Sequence, residues 1–388
     1  MNVRPAAAVY ACMDAKTIVI LGYGHVGRLL AEILLKQTSA HIFLAGRHPD
    51  RAGDVAAELN AGLGERRVSV TFADASEPRS LRETFTGADV VVMASSTLRF
   101  ARNVASAALE AHADYFDVLY SPEKSVILTS MSDDIKKAGL CFISDCGIAP
   151  GLTTTLVRLV SGRFDSIESV RLGTALRVDW TLEDISRETV AESIRVLASF
   201  RHLIYKGGRW QAMGPLGMLT SMDFGAEMGR QNLAIMFLEE LRAIPQLHPQ
   251  VREVRFAMGG FNWFTTWVAF PVALASQLAL RGAALGPVSR FVRWSFKRFS
   301  APPYGTYLKL ETRGTSKGRP KAVDVTVRHN DGYILTAASV ASCMMQYFDG
   351  SIRKPGVWIE ANVVDPERTM RDLLKFGAEV EISEGTLA

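Results

Sequence analysis

Thr17-Ile-Val-Ile-Leu-Gly-Tyr-Gly-His-Val-Gly27 is the stretch that decides the fold of this chain. Thr17 to Leu21 is an unbroken β-branched and aliphatic run, the pattern of a strand covered on both faces, and it ends in a glycine-rich turn. Val26, Leu29, Leu30, Ile33 and Leu34 follow at helical spacing, which gives one apolar stripe. His41 to Ala45 reads as the next strand, so the three elements make a right-handed βαβ unit. Within it, Gly22, Tyr23, Gly24, His25, Val26 and Gly27 have G-x-G-x-x-G spacing. Gly22 permits the tight turn, Gly24 lets backbone approach a diphosphate, and Gly27 allows the helix to sit close on the strand. The diphosphate would rest on the helix N-terminus, where N–H groups and the dipole favour negative charge.

Outward from this unit the alternation continues. Helix is expected over Arg51–Leu59, Ser80–Phe85, Asn103–Ala111 and Asp133–Ala138, and strand over Val68–Phe72, Asp89–Met93, Tyr115–Asp117 and Leu140–Ser144. Beyond Pro150 the rhythm changes to strands separated by turn signals. Leu203–Tyr205 and Trp210–Ala212 flank Gly207-Gly208, a pair suited to a hairpin turn with positive φ at both positions. Tyr307–Thr312 and Ala322–Arg328 predict a second hairpin across a polar loop, Gly314–Pro320. The expected fold is α/β: an N-terminal Rossmann doubly wound parallel sheet, then an α+β substrate domain on an antiparallel or mixed sheet. The domains are drawn as 1–145, with 1–14 a tail and Met13 an alternative start; 146–336, for substrate and oligomerisation; and 337–388, whose apolar helix Ala337–Phe348 returns to the first domain.

Composition narrows the functional classes. At 388 residues, two domains are expected. The four cysteines form no C-x-x-C pair and the histidines are scattered, so no metal site is expected and a reducing cytoplasm fits. A net charge of +4 is too small to argue for nucleic acid, but it is uneven. From Arg281 to Lys321 ten Lys/Arg face the single acid Glu311.

The end of the second strand selects the dinucleotide. An acid there would bind the ribose hydroxyls of NAD; here Ala45-Gly46-Arg47 supplies a guanidinium suited to the 2′-phosphate of NADP, with Arg51 one turn on. Asp74, past the third strand, is placed to approach adenine or to cap its own turn.

The Gly22–Gly27 turn with Ala45-Gly46-Arg47, the Tyr115-Phe-Asp117 strand and the turn Asp145-Cys-Gly-Ile-Ala-Pro-Gly151 together resemble the saccharopine dehydrogenase-like NADP(H) oxidoreductases. The Gly207-Gly208 hairpin, Asp331–Thr336 and Gly356–Glu360 extend the resemblance to nearly the whole chain. It implies hydride transfer between NADP(H) and the carbon of a C–N bond in an amino-acid-type substrate. The alternatives are a lipid-directed enoyl reductase of the same superfamily and a non-catalytic NADP(H)-binding protein. The nicotinamide is expected beyond the strand ends, where Ser95, Ser96 and Thr97 could hold ribose or carboxamide. Asp117 closes the fifth strand and is the first candidate for acid/base work, with turn capping as its plainer role. Cys146 stands where family members shape the substrate cleft and is the second candidate, although without a neighbouring base it reads as a small buried hydrophobe. Relatives carry an acid before Pro-Gly; here Ala149 precedes Pro150, a departure. Arg177, Arg195 and Arg201 could clamp a substrate carboxylate.

Phe261 to Leu280 is uncharged and has the length of a membrane span, but Asn262, Pro271, Ser276 and Gln277 dilute it. Arg290-Phe-Val-Arg-Trp-Ser-Phe-Lys-Arg-Phe299 follows, interleaving cations and aromatics. Buried helix pair, subunit interface and peripheral membrane contact through 261–299 are the open readings. The partners expected are a small-molecule substrate and a second copy in a homodimer, with no nucleic acid.

Overall fold

Short apolar strands followed by amphipathic helices leave a parallel sheet little choice but to be buried on both faces, and this is what the first part of the chain builds. The computed structural model describes residues 16–182, 185, 187–214, 217–280 and 284–386. The tail, the alternative start at Met13 and Arg281 lie outside them. Two compact units result: 1–147 with 336–365, and 148–335 with 366–388.

In the first unit, strands β1 (Thr17–Leu21), β2 (His41–Gly46), β3 (Val68–Phe72), β4 (Val90–Met93), β5 (Asp114–Asp117) and β6 (Cys141–Ser144) alternate with helices. These are α1 (His25–Gln37), α2 (Pro49–Leu63), α3 (Pro78–Phe85), α4 (Ala101–Glu110), α5 (Pro122–Ser130) and α6 (Ser132–Lys137). The first domain was expected to finish at β6; a seventh strand, β15 (Gly356–Ile359), instead pairs in parallel with it. The sheet order is β15-β6-β5-β4-β1-β2-β3, so the direction of strand addition reverses between β1 and β4.

The return to this unit is made by α12 (Ile334–Phe348), started by the Asp331 carboxylate, which accepts the N–H groups of Tyr333 and Ile334. Asp114 fastens the returning segment. It is buried at the start of β5 and accepts from the Tyr347 hydroxyl, from Arg353 Nε at 3.1 Å and from the Cys141 N–H at 2.7 Å.

The second unit is a mixed sheet in the order β10-β11-β12-β7-β13-β14-β16, and off this path β8 pairs with the start of β12 and β9 with β8. Its strands are β7 (Ser166–Arg177), β8 (Leu203–Lys206), β9 (Arg209–Ala212), β10 (Leu219–Asp223), β11 (Arg230–Met236), β12 (Glu253–Gly259), β13 (Gly305–Ser316), β14 (Arg319–His329) and β16 (Glu379–Thr386). Of these, only β12 and β7 pair in parallel. The polar loop expected at Gly314–Pro320 is mostly strand. Pairing runs out to Ser316↔Arg319, and Lys317 and Gly318, both at positive φ, make a two-residue turn. An exposed hairpin arm needs no apolar residues at its tip, so a polar composition there does not mark a loop.

Helices α7 (Thr153–Ser161) and α14 (Pro366–Lys375) pack together, and α7 lies against β7 and β13. A separate helical cluster holds α8 (Arg187–Ser199), α10 (Phe270–Leu280) and α11 (Leu285–Arg298) around Trp180, Val190, Ile194, Ala269, Ala273, Val292 and Phe296. Two short helices, α9 (Ala243–Leu247) and α13 (Glu360–Val363), complete the elements. No helix among the described residues is long and apolar enough to cross a membrane. Within the uncharged run 261–280 a wide helical turn, Thr265–Ala269, leads directly into α10.

Candidate active site

The turn after β1 is built from close contacts that only hydrogen at Cα permits. Gly22 has φ +118°, and a Cβ there would stand 2.7 Å from Ser95 Cβ. A Cβ on Gly27 would lie 2.0 Å from the Gly22 carbonyl oxygen, so any side chain would push α1 off the strand. Gly24 differs: its added Cβ meets nothing within 4 Å. It opens outward at the N-terminus of α1, which has no side-chain cap and no acid in its first turn. These are the features an anionic diphosphate needs: open backbone, an uncapped helix start and no competing carboxylate.

Tyr23 folds across this turn rather than into it. Its ring lies where a Cβ on Gly46 would be, and its hydroxyl donates to the His48 carbonyl at 2.9 Å. That contact joins the β1 turn to the β2 end and aligns the segment carrying Arg47. Arg47 and Arg51 are exposed, as are Gly24 and His25, and Val26 is half-buried. Asp74 is mainly a turn former, since its Oδ1 accepts from the Ser76 N–H at 2.9 Å and the Ser76 hydroxyl at 2.7 Å. These hydrogen bonds hold its carboxyl below the usual range, with Arg47 and Arg99 adding a weaker attraction. Arg99 thus joins Arg47 around the same carboxylate, a neighbour the sequence reading did not pick out. At the end of β4, the Ser95 and Thr97 hydroxyls lie 3.0 Å apart and Ser96 is exposed.

At the ends of β5 and β6 the structure places a buried charge cluster. Asp117, the candidate acid/base, has no exposed surface. Helix α5 returns over the strand end and brings Lys124, also fully buried, onto the Asp117 carboxylate and the Leu119 carbonyl; Lys124 Nζ also reaches Asp145 at 2.7 Å. The Asp145 N–H donates to Asp117 Oδ1 at 3.1 Å. Burial alone would lower Lys124, but the two carboxylates outweigh it and hold it above its ordinary value. Burial pushes the Asp145 carboxyl up. Asp117, expected as an acid/base or a turn cap, is therefore one of two carboxylates held by a desolvated lysine that nothing in the local sequence marks.

Cys146 is also buried, and burial pushes its thiol well above the ordinary range, which disfavours the thiolate form. Below it lies a carboxyl that sequence reasoning missed. Glu360 accepts the Gly147 N–H at 2.7 Å and the Ser339 hydroxyl at 2.7 Å, and burial raises it to about 8. No local pattern marks it, because its partners are more than twenty and two hundred residues away in sequence. In the second unit, Glu240 is buried and accepts the amides of Gly151 (2.8 Å) and Thr154 (3.3 Å), putting an acid at the start of α7 although Ala149 is not one. Arg177 is held by the Gly260 carbonyl and Gln231, Arg201 pairs with Glu239, and Arg195 is exposed. Among the described residues, no group of His, Cys, Asp and Glu could hold a metal ion.

Residues 18–139 match the saccharopine dehydrogenase NADP binding domain family. This part of the chain is similar to a saccharopine dehydrogenase NADP-binding domain. The match ends just before β6, so it covers the glycine turn, Arg47, Asp117 and Lys124 but not Asp145 or Glu360. Among solved structures, the saccharopine dehydrogenase (L-Glu forming) of Saccharomyces cerevisiae aligns over 96% of this chain and 100% of its own, with TM-score 0.65 and 14% identity. That likeness shows that the second unit, too, follows the fold of a saccharopine dehydrogenase. A wide-type short-chain dehydrogenase/reductase from Veillonella parvula, solved with NADP, aligns over 27% of this chain and 48% of its own at 25% identity, TM-score 0.24. The DAP dehydrogenase of C. glutamicum, solved with DAP, covers 94% and 99% at 12% identity, TM-score 0.44. No curated protein sequence matches the chain.

Proposed function

We propose that the chain is an NADP(H)-dependent oxidoreductase that passes hydride between the dinucleotide and the carbon of a C–N bond in an amino-acid-type substrate. The observation that carries this reading is the junction of β1 and β2. There an open Gly24 and an uncapped α1 meet a strand end that bears Arg47 and no acid. NADPH, when bound, supplies the hydride. The remaining work falls to the chain itself. The Gly22–Gly27 backbone binds diphosphate, Arg47 faces the 2′-phosphate and accounts for a preference over NAD, and the Ser95, Ser96 and Thr97 hydroxyls hold ribose or carboxamide at the end of β4. In the reductive direction hydride goes to the imine carbon and a proton to its nitrogen. Asp117 is a positioning residue in this reading: the Lys124 clamp fixes the turns after β5 and β6, the strand ends nearest the nicotinamide in a doubly wound sheet.

Fluorescence titration with NADPH, followed by NADPH oxidation in the presence of 2-oxo acids with and without amino acids, tests the proposal. Oxidation that requires both partners is the expected result. Oxidation only with an α,β-unsaturated thioester would move the reaction to a C=C bond, and tight NADPH binding with no turnover on any of these would leave a binding protein.

A further inference from the structure

A helix that is apolar all round normally lies inside a protein. The segment through α10 breaks this rule. Its inner face, Thr265, Ala269 and Ala273, is buried in the helical cluster of the second unit, as expected. Its outer face, Trp263, Trp267, Pro271, Val272 and Ala275, is exposed and contains no polar residue. Trp263 is 63% exposed, Trp267 50% and Val272 46%.

The neighbouring helix α11 adds charge to the same surface. Beyond its first turn its exposed positions follow one stripe, Arg290, Trp294 and Arg298, with Trp294 49% exposed. The two stripes meet: Phe264 stacks on Phe299 at 4.5 Å, Trp263 and Trp294 stand 5.6 and 5.7 Å from Phe299, and the Arg298 guanidinium lies 5.7 Å from the same ring. The other two cations of the helix are not part of it, because Arg293 is half-buried and donates to the Ile185 carbonyl, and Lys297 is half-buried. The result is an aromatic patch edged by two outward arginines.

Charge decides what covers it. From Val254 to Leu310 the chain has no acidic residue. A second copy docking by two-fold symmetry would bring α10 and α11 onto themselves, arginine toward arginine, and neither helix carries a carboxylate to answer them. An anionic bilayer surface has what the patch lacks. Tryptophan and phenylalanine favour the headgroup region, and arginines beside them meet lipid phosphate and carboxylate. We propose that the face formed by Trp263, Trp267, Trp294, Arg290 and Arg298 docks the protein peripherally on anionic lipid membrane.

Flotation of the full-length protein with phosphatidylcholine vesicles, with and without about a third phosphatidylserine, tests this directly. At low ionic strength the protein rises with the anionic vesicles and the tryptophan emission shifts to the blue. Arg290→Gln with Arg298→Gln lowers the partition coefficient on anionic vesicles by roughly thirtyfold, as two cations near the surface should. Raising salt removes that part, since the screening length falls to a few ångströms, and leaves a weaker apolar component. Trp263→Ser with Trp294→Ser abolishes this salt-resistant remainder, while a wild-type melting curve and NADPH affinity show that the variant is folded. Failure of the wild-type protein to float with anionic vesicles overturns the proposal. So does equal binding by wild type and the arginine variant, or a dimer that the tryptophan variant converts to monomer without any vesicle binding.

Discussion

Arg47 and Glu360 are single residues whose consequences are opposite in kind, one directed at a ligand and one at the stability of the unit that holds it. Arg47 is exposed at the end of β2, so its loss should leave the fold intact; in the proposed reading it removes a charge-assisted contact worth about 1.5 kcal/mol. Arg47→Ala is expected to weaken NADPH roughly tenfold while leaving NADH affinity unchanged, a difference that parallel titrations measure. Equal affinities of the wild-type protein for the two dinucleotides would contradict the assigned preference. Glu360 is buried and titrates near 8 in the folded chain, against about 4.5 for an ordinary glutamate. Between those values the folded protein keeps a proton that the unfolded chain has released, so rising pH favours unfolding across this window. The accumulated loss is on the order of 4 kcal/mol for a fully buried group. Glu360→Gln keeps the shape and removes the titration. Thermal melts at pH 5 and pH 9 should therefore show a smaller pH-dependent drop for the variant, and identical drops would exclude Glu360 as the source. Neither Glu360 nor Lys124 was legible in the sequence. Charged residues usually face water, and nothing local to Pro122–Ser130 or Gly356–Val363 indicates that their side chains are enclosed by elements far away in the chain.

Elements were legible where period and punctuation agreed. The run Thr17–Leu21, the stripe through Leu30 and Leu34 and the Gly207-Gly208 turn each carry their geometry in adjacent residues, and the structure repeats them. β15 did not announce itself as a strand of the first sheet, because its four residues gain their place only by pairing with β6, two hundred positions earlier. The β13–β14 arm is longer than its sequence suggests for the opposite reason, since its polar tip has the composition of a loop while the register continues through it. The turn at that tip allows a clean measurement. Gly318 has φ +69° and no atom near the position of a Cβ, so a substitution there acts on the backbone alone. Gly318→Val is expected to lower stability by about 1–2 kcal/mol, and Gly318→Asn by clearly less, because asparagine tolerates the left-handed region and a β-branched residue does not. Urea unfolding of the three proteins gives the order, and equal losses for valine and asparagine would show that something other than φ is being changed.

At the scale of the whole molecule, the chain crosses between its units three times, after Gly147, Leu335 and Asp365. Ending the chain at Asp365 removes α14 and β16 from the second unit but no residue of the glycine turn, Arg47 or the Asp117 cluster. Such a protein is expected to bind NADPH within about threefold of the wild type, a difference under 1 kcal/mol. Its second sheet should melt earlier or aggregate, because β14 is left as a long unpaired edge. Calorimetry beside a binding titration separates the two effects, and an unchanged melting profile would mean that β16 is dispensable. The late arrival of β15 also governs how the protein is made. A ribosome delivers β6 long before it delivers Gly356–Ile359, and the whole of 148–335 is synthesised in the interval. During that time the nascent nucleotide-binding sheet has an open edge at β6 and Asp114 lacks Tyr347 and Arg353, so neither sheet is complete until Gly356–Ile359 and Glu379–Thr386 have left the exit tunnel.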